Sequence, residues 1–537
     1  MKVSMNRKEL EKLGVEGGLL KPREPYDGRM PWPVILGDGQ YLIVKGIEKG
    51  NIDYLKPKCK VLFYGPYFTW DEESYKDVAI YDTVTSALES VVKGQKLELA
   101  SDVPVGLYNM LRDKFDVSVE EKVNGVKVNL YEAKASAVDE YMGEVGSSIK
   151  ETALEIIGNL NLEAEDAGYI EKVFSKPYKA FAPLKSLLGE VDSILCSSPV
   201  NVGLLTGIRL QDIDENTYAV YNKDKDRIYI LTPKKLKDYS HISLVDENVK
   251  LEDVFGDLLT GVVGIEEEDL RVRDYGQIKN ETIGISLALR EWREAVLYLD
   301  LPFLIIAAYV TRDSQERALE YLQDNLGITE MQLYDYYKNC IEEIANSLNL
   351  PDISVKEFFT LIHSGDRSVI PARPADHVIT AKSNSVKIDS GVILLYRGVL
   401  RGLSDLARTL PLSSEAKGFY EMLKKIIREV VIPGISPGKR ACDVWRTAID
   451  GLKENLGEIR ASGLMPEGKS LDEHDSVAGH TLPMETEVAI LLRRSHTKFL
   501  KEGMVGCAEF HWPYNRHAIG FEDSWIIGPN KGINFTS

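Results

Sequence analysis

The sequence is short of cysteine, short of cationic side chains relative to acidic ones, and free of long uncharged apolar runs, and each shortage removes a class of protein. Its five cysteines, Cys59, Cys196, Cys340, Cys442 and Cys507, are scattered, with no two at the spacing of a metal-binding pair. No disulfide framework is expected, and a reducing, cytoplasmic setting is. Basic residues number 65 against 83 acidic ones, a formal net charge of -18, which argues against nucleic acid as a partner because a phosphate backbone would be repelled. No window reaches the ~18 consecutive apolar residues that a bilayer span requires. The most apolar segment, LPFLIIAAYV at 301–310, is bounded by charge; it is expected as a buried helix, and no membrane association is expected. The opening MKVSMNRKELEKLG carries no apolar stretch of signal-peptide length. Glutamine is scarce beside abundant glutamate and lysine, a composition found in heat-adapted proteins. Low-complexity tracts are missing too, and with 44% hydrophobic and 28% charged residues every part of the chain falls in the globular class.

What is there is enough for several cores: 537 residues at roughly 150 per domain imply about three. From Pro33 to about Ala135, β-rich runs such as YLIVKGI and KVLFYGPY alternate with helical stretches such as SALESVVKGQ. A long amphipathic stretch follows from about Ala137 to Leu188. The segment VDSILCSSPVNVGLLTGI then opens a second α/β region that continues through YAVYNKDKDRIYILT. Between Ile285 and Leu348 the apolar spacing is helical, and after Ser364-Gly365 the runs VKIDSGVILLYRG and VLRGLSDLARTL lie close enough to form a hairpin. A further helical pair spans about Ser414 to Leu456, interrupted by IPGISPG, and strand-like segments finish the chain. The expected fold class is α/β (α+β), divided as 1–160, 161–284 and 285–537.

Divalent metals that activate water are held by several hard oxygen ligands, often with one imidazole, converging from separate strands. The last region supplies such a set. SDLARTL places Asp405 on a strand, AGH puts His480 at a glycine-containing turn, GMVGCAEF carries Glu509, and GFEDSWII carries Glu522.

In these motifs and in their order, residues 289–537 resemble the catalytic domain of the pita-bread metallopeptidase family, which includes aminopeptidase P, prolidase, methionine aminopeptidase and creatinase. The segment SSPVNVGLLTG at 197–207 is similar to the turn that opens the amino-terminal domain of aminopeptidase P and creatinase, with Leu204 where the family often has tyrosine. The resemblance implies a pita-bread catalytic domain behind two smaller creatinase-type α/β domains. It implies Asp405, His480, Glu509 and Glu522 as metal ligands, Asp405 and Glu522 bridging.

The fifth ligand has two placements. The family's D-x-G stands eleven residues before the bridging aspartate, where this chain has Leu394, while Asp389-Ser390-Gly391 lies sixteen residues before Asp405. The family's Pro-His step, counted from Ser364-Gly365, falls on Pro371-Ala372. A five-residue insertion in the hairpin turn makes Asp389 the ligand of a dinuclear site and loses the first histidine. The same insertion between Pro371 and His377 makes His377 the proton-handling histidine and leaves Leu394 in place of the first aspartate, at a single-metal site. The match of both Asp389 and Gly391 favours the first.

The pocket departs further. G-H-G-x-G reads Gly479-His480-Thr481-Leu482-Pro483, the second histidine is Glu487, and E-P-G reads Glu509-Phe510-His511. An ionised glutamate only accepts hydrogen bonds and cannot replace a histidine donor to an oxyanion; His511 can substitute as donor, and Glu487 can bind a cationic group or move a proton if burial raises its pKa. Candidate catalytic residues are thus His377, Glu487 and His511. His363, His474 and His496 read as structural, His517 as a strand-end residue, Trp512 and Trp525 as core, and the sequon at Asn534 as chance.

The resemblance implies a hydrolase of Xaa-Pro aminopeptidase type, acting on a short peptide or small amide with one or two divalent ions (Mn, Co, Zn or Fe) per chain, in a homodimer. Two other readings stand beside it: a creatinase-like hydrolase that cleaves a C–N bond without metal, and a non-catalytic binding module of the same shape.

Overall fold

The computed structural model describes the chain except residues 6–9, 11, 14–33, 38, 47–48, 66–77, 95, 121–124, 161, 368–372, 466, 474–476, 483–488 and 515–516. Its first sheet contains β1 (Lys2–Ser4), β2 (Val34–Leu36), β3 (Tyr41–Lys45), β4 (Lys60–Tyr64), β5 (Ile80–Tyr81), β6 (Leu97–Leu99) and β7 (Val117–Val119), in the order β5-β4-β3-β2-β1-β6-β7. The second contains β8 (Lys127–Lys134), β9 (Ser193–Cys196), β10 (Tyr218–Asn222), β11 (Arg227–Thr232), β12 (Ser243–Lys250), β13 (Val263–Ile265) and β14 (Thr282–Gly284), in the order β12-β8-β11-β10-β9-β13-β14. Each is built alike. A first strand continues into an antiparallel meander on one side, β1-β2-β3 or β9-β10-β11, and two parallel strands extend the sheet on the other. This repeated topology is the tandem arrangement expected from the sequence. The second sheet begins with β8 at Lys127, inside the span assigned above to the first domain, because β8 pairs with β11 and β12 far along the chain.

The SSPVN turn has a physical purpose. Ser198 caps the helix Pro199–Thr206, and the backbone N–H groups of Ser197 and Ser198 donate to Glu266 at 2.9 and 2.7 Å. Asn201 donates to the same carboxylate and accepts from Arg293 Nη1 at 2.6 Å. Arg293 lies on the helix Ser286–Val296, so the turn ties the second unit to the C-terminal one. Trp292 Nε1 to the Ala180 carbonyl, 2.7 Å, and the Tyr169 hydroxyl to the Ile527 carbonyl, 3.2 Å, add to the junction. One continuous apolar core runs through both.

The C-terminal unit wraps helices around two sheets. The helix Leu301–Asp324 begins with the apolar segment noted above, and residues 301–308 are all buried; the run 286–324 is apolar and long enough to cross a membrane, with its apolar face forming the core instead. Beneath it and the helix Glu330–Ser347 lie β15 (Ile353–Ser364), β16 (Ser385–Tyr396), β17 (Val399–Leu403) and β18 (Leu406–Pro411), where β16 pairs with all three others. The other sheet runs β19 (His480–Thr481), β20 (Val505–Tyr514), β21 (His517–Ile527), β22 (Gly532–Asn534).

Glu294, buried on the helix Ser286–Val296, accepts the Ala489 N–H at 2.6 Å and so holds the segment that bridges to His480 through Leu491. Burial raises its carboxyl to about 7, against the opposing pull of the Ala489 N–H, the Thr481 hydroxyl, Arg293 and Lys498. A folded-state pKa above the unfolded value contributes stability that is complete below about pH 4.5 and lost as pH rises through 7. Glu294→Gln removes that dependence. Relative to wild type it is expected to be more stable at pH 8 than at pH 4.5 by roughly 2–3 kcal/mol, read from thermal melts at the two pH values; equal differences at both would show that folding does not raise the Glu294 carboxyl.

Candidate metal centre and active site

Alternation along strands assembles the site. Lys387 and Asp389 share one face of β16, and Cys507, Glu509 and His511 share one face of β20. Across the ladders Asp389 stands opposite Ala407, Glu509 opposite Glu522, and His480 opposite Cys507. Two glycines permit the close approaches. A Cβ on Gly391 would meet the Ser404 carbonyl oxygen at 2.0 Å, so the glycine of Asp-Ser-Gly lets the chain just before β18, carrying Asp405, cross beside Asp389. Gly479, at φ +130°, would place a Cβ 2.1 Å from the Cys507 carbonyl oxygen, and its absence lets His480 lie on β20.

The rest of the S-D-x-x-R-T motif is a clamp between sheets. Arg408 donates to the Asp523 carboxylate at 2.7 Å and to the Glu522 carbonyl, while the Thr409 hydroxyl donates to the Gly520 carbonyl at 2.8 Å and accepts the Gly520 N–H at 2.9 Å. Asp405 and Glu522 are thereby fixed facing each other.

The side chains fall into two halves. In one, ligand atoms of Asp405, His480, Cys507 and Glu522 all lie within 4.8 Å of one another; His480 Nε2 is 3.6 Å from Asp405 Oδ2, and the Cys507 sulfur is 3.4 Å from both imidazole nitrogens. In the other, Lys387 Nζ lies 3.2 Å from Asp389 Oδ2 and contacts His511 Nδ1, and His511 Nε2 is 3.6 Å from Asp389 and in contact with Glu509. Glu509 joins the halves, with its other oxygen 3.8 Å from His480 Nε2.

Charge in so small a space moves the titrations. Burial, then Asp389 and Glu509, push the Asp405 carboxyl well above the usual range against the pull of Lys387. Burial, then Asp405, Glu509 and Asp389, do the same to Glu522, and burial with Glu522, Asp405 and Glu509 raises the Cys507 thiol. Burial would raise Glu509 too, but His511, His480 and Lys387 outweigh it and hold its carboxyl at about 2. Carboxyls that resist ionisation beside one that does not mark an excess of negative charge that a cation would relieve.

A divalent metal fits these residues. Both carboxylate oxygens of Glu522 are buried without a nitrogen or oxygen donor among the described residues; the Cys507 thiol lies against them. Buried carboxylate oxygens are rarely left so, and two carboxylates, an imidazole and a thiol within reach form a donor set for a borderline-soft ion.

Of the expected residues, the structure brings Asp405, His480, Glu509 and Glu522 together, with Asp389 and His511 beside them. Leu394 is fully buried in the core, paired with Val355 and Gly402. Both nitrogens of His511 have partners, so its position is that of a residue orienting Glu509. His377 lies beside Gly365 and Ser383, in the connection to β16, its carbonyl accepting from the Glu330 N–H at 3.0 Å. Glu487, His474 and the first-histidine position at 372 lie outside the described residues, as does the side chain of His517. Trp512 and Trp525 are core, and His496 accepts the Leu491 N–H at 3.1 Å. The sequence reading missed Lys387 and Cys507. Each lies two residues before an expected ligand on the same strand, and counting back by two along β16 and β20 would have found both.

Residues 304–529 match the model of metallopeptidase family M24. No curated protein sequence matches the chain significantly. Among solved structures, a dipeptidase from Pyrococcus horikoshii OT3 is similar, with 20% identity and a TM-score of 0.51, the alignment covering 67% of this chain and 98% of that one. Also similar are an Xaa-Pro dipeptidase from Bacillus anthracis (17% identity, TM-score 0.48, 67% and 98% covered) and aminopeptidase P from E. coli (14%, 0.49, 67% and 94%). The Pyrococcus structure is matched almost whole, so about a third of this chain has no counterpart in it.

Proposed function

We propose, on the premise that residues 304–529 form a domain of metallopeptidase family M24, that this protein is a metal-dependent hydrolase of amide bonds in short peptides or related small molecules. The observation that carries the proposal is the buried Glu522 carboxylate, which has no nitrogen or oxygen donor among the described residues and converges with Asp405, His480 and Cys507 within 4.8 Å. When bound there, a divalent ion supplies an activated water and polarises a carbonyl.

The chain's own residues do the rest. Asp405, His480 and Glu522, with Cys507, would hold the ion. Glu509, kept ionised by His511, His480 and Lys387, offers a fixed acceptor oxygen at the border of the two halves. His511 orients it. The pair Lys387–Asp389 closes the far side with a buried, hydrogen-bonded ion pair. The amino-terminal units narrow access to short substrates; the apolar core shared by the second sheet and the catalytic unit supports a fixed rather than hinged arrangement. Xaa-Pro di- and tripeptides are the first substrates to test, following the sequence resemblance to aminopeptidase P. The same resemblance carries the homodimer, and five free thiols support a reducing, cytoplasmic setting.

The test is elemental mass spectrometry of the purified protein together with a peptide-hydrolysis screen, comparing wild type with His480→Ala. Metal in the wild type, lost in the variant together with peptide cleavage, supports the proposal. A wild type that takes up no metal under repletion overturns it.

The thiol sharpens the expected metal. Sulfur favours zinc, cobalt or iron over manganese, so Cys507→Ser, which keeps the volume and hardens the donor, is expected to lower zinc affinity relative to manganese by about 10-fold or more. Competition dialysis measures the ratio; an unchanged preference would place the sulfur outside the coordination sphere.

A further inference from the structure

The expectation of five ligands and up to two metals meets an obstacle in the structure: a lysine occupies half of the acidic pocket. Lys387 is 4% exposed. It reaches the site because residue 520, opposite His511 on the neighbouring strand, is glycine, and a Cβ there would stand 2.6 Å from Lys387 Cδ and 3.2 Å from His511 Nδ1. The stem therefore runs through space that only glycine leaves open. Its Nζ ends 3.2 Å from Asp389 Oδ2 and against His511 Nδ1. Of the five expected ligands, Asp389 and Glu509 lie outside the set whose donor atoms converge within 4.8 Å, and among the described residues the ion-pair contacts of Asp389 are to Lys387 and His511.

We propose that the Lys387 ammonium stands where a second metal ion would be, so that each chain holds a single divalent cation, at Asp405, His480, Cys507 and Glu522, while Asp389 pairs with the lysine instead of ligating. A cation at Asp389 would lie within a few ångströms of a buried ammonium, and two such like charges repel strongly at low dielectric. The lysine is part of the chain, so the positive charge it brings beside these carboxylates does not depend on metal supply. The inference rests on the reading of this site as a metal centre.

The experiment is metal stoichiometry on the full-length protein, stripped with chelator and reloaded with Mn2+, read by elemental mass spectrometry and by electron paramagnetic resonance. Wild type is expected to bind one ion per chain, with the hyperfine pattern of an isolated Mn2+. Lys387→Ala, which empties the space and removes the charge, is expected to bind two and to show a spin-coupled pair; Lys387→Ala combined with Asp389→Ala is expected to return to one. Two ions in the wild type overturn the inference without touching the hydrolase reading, and require no variant to fold. One ion in a folded Lys387→Ala also overturns it, since the lysine is then not what excludes the second. No ion in the wild type under repletion overturns the metal-centre reading and this inference with it.

Discussion

Glu522→Gln is expected to split the protein's stability and its activity in opposite directions. Without metal, Glu522 is a buried carboxyl held above its usual range by burial and by Asp405, Glu509 and Asp389. Its contribution to stability is therefore present at acid pH, below the ordinary carboxylate value, and lost as pH rises through its raised folded value. Glutamine carries no charge to bury, so the metal-stripped variant is expected to melt a few degrees above metal-stripped wild type at pH 8 and level with it near pH 4. With metal the order reverses. Wild type gains the linkage free energy of a bound ligand, the variant loses an anionic donor, and hydrolysis falls by at least about 100-fold, the equivalent of the several kcal/mol that metal charge supplies to a transition state. Calorimetry with and without chelator, alongside turnover, reads both effects. A variant that retains full metal content and turnover would remove Glu522 from the ligand set.

The candidate site was legible where its chemistry leaves the sequence no freedom. The Asp-x-x-Arg-Thr, Gly-His and Glu-Asp-Ser steps each combine a candidate ligand with the residues that lock it: Arg408 and Thr409 bind β21, Gly479 admits His480 to β20, and Asp523 receives Arg408. Such motifs stand out in sequence because packing and hydrogen bonding constrain neighbouring positions together. Lys387 and Cys507 carry no such signature. A lysine in VKID reads as one more surface charge, and only the register of β16 against β18, with glycine at 520, turns it inward.

The fold was legible at the level of elements and less so at the level of sheets. Helical spacing from Ile285 to Leu348 became the helices Ser286–Val296, Leu301–Asp324 and Glu330–Ser347. The strand β8 is different: its own alternation marks it as a strand, but its partners β11 and β12 lie beyond five intervening α-helices and the strands β9 and β10, and periodicity is blind to pairing at that distance. The choice between Asp389 and Leu394 was of the same kind. Counting residues allows both; the close approach of the Ser404 carbonyl to Gly391, which brings Asp389 near Asp405 while Leu394 lies in the core, is a three-dimensional fact that no residue count contains.

The clamp behind the site should be its most sensitive structural point. Asp523 is fully buried and accepts from Arg408 Nη2 and Arg428 Nε, both at 2.7 Å, and from Asn534 Nδ2 at 2.9 Å. Asp523→Ala leaves the Arg408 guanidinium, 4% exposed, without its counter-charge, and breaking a buried pair from one side costs about 3–5 kcal/mol. The expected result is an apparent Tm lower by on the order of 10 °C. Arg428→Ala, at a side chain 27% exposed to solvent, is expected to cost only about 1 kcal/mol. Arg408→Met in the Asp523→Ala background should recover most of the loss, since the buried guanidinium is then gone and only Arg428, with 27% of its side chain exposed to solvent, is left without Asp523. Metal affinity is expected to fall in Asp523→Ala and not to recover in the double variant, because Asp405 and Glu522 are placed by the Arg408 bridge between β18 and β21. Recovery of stability and affinity together would mean that Thr409 and its paired bonds to Gly520 suffice to hold the two ligands face to face.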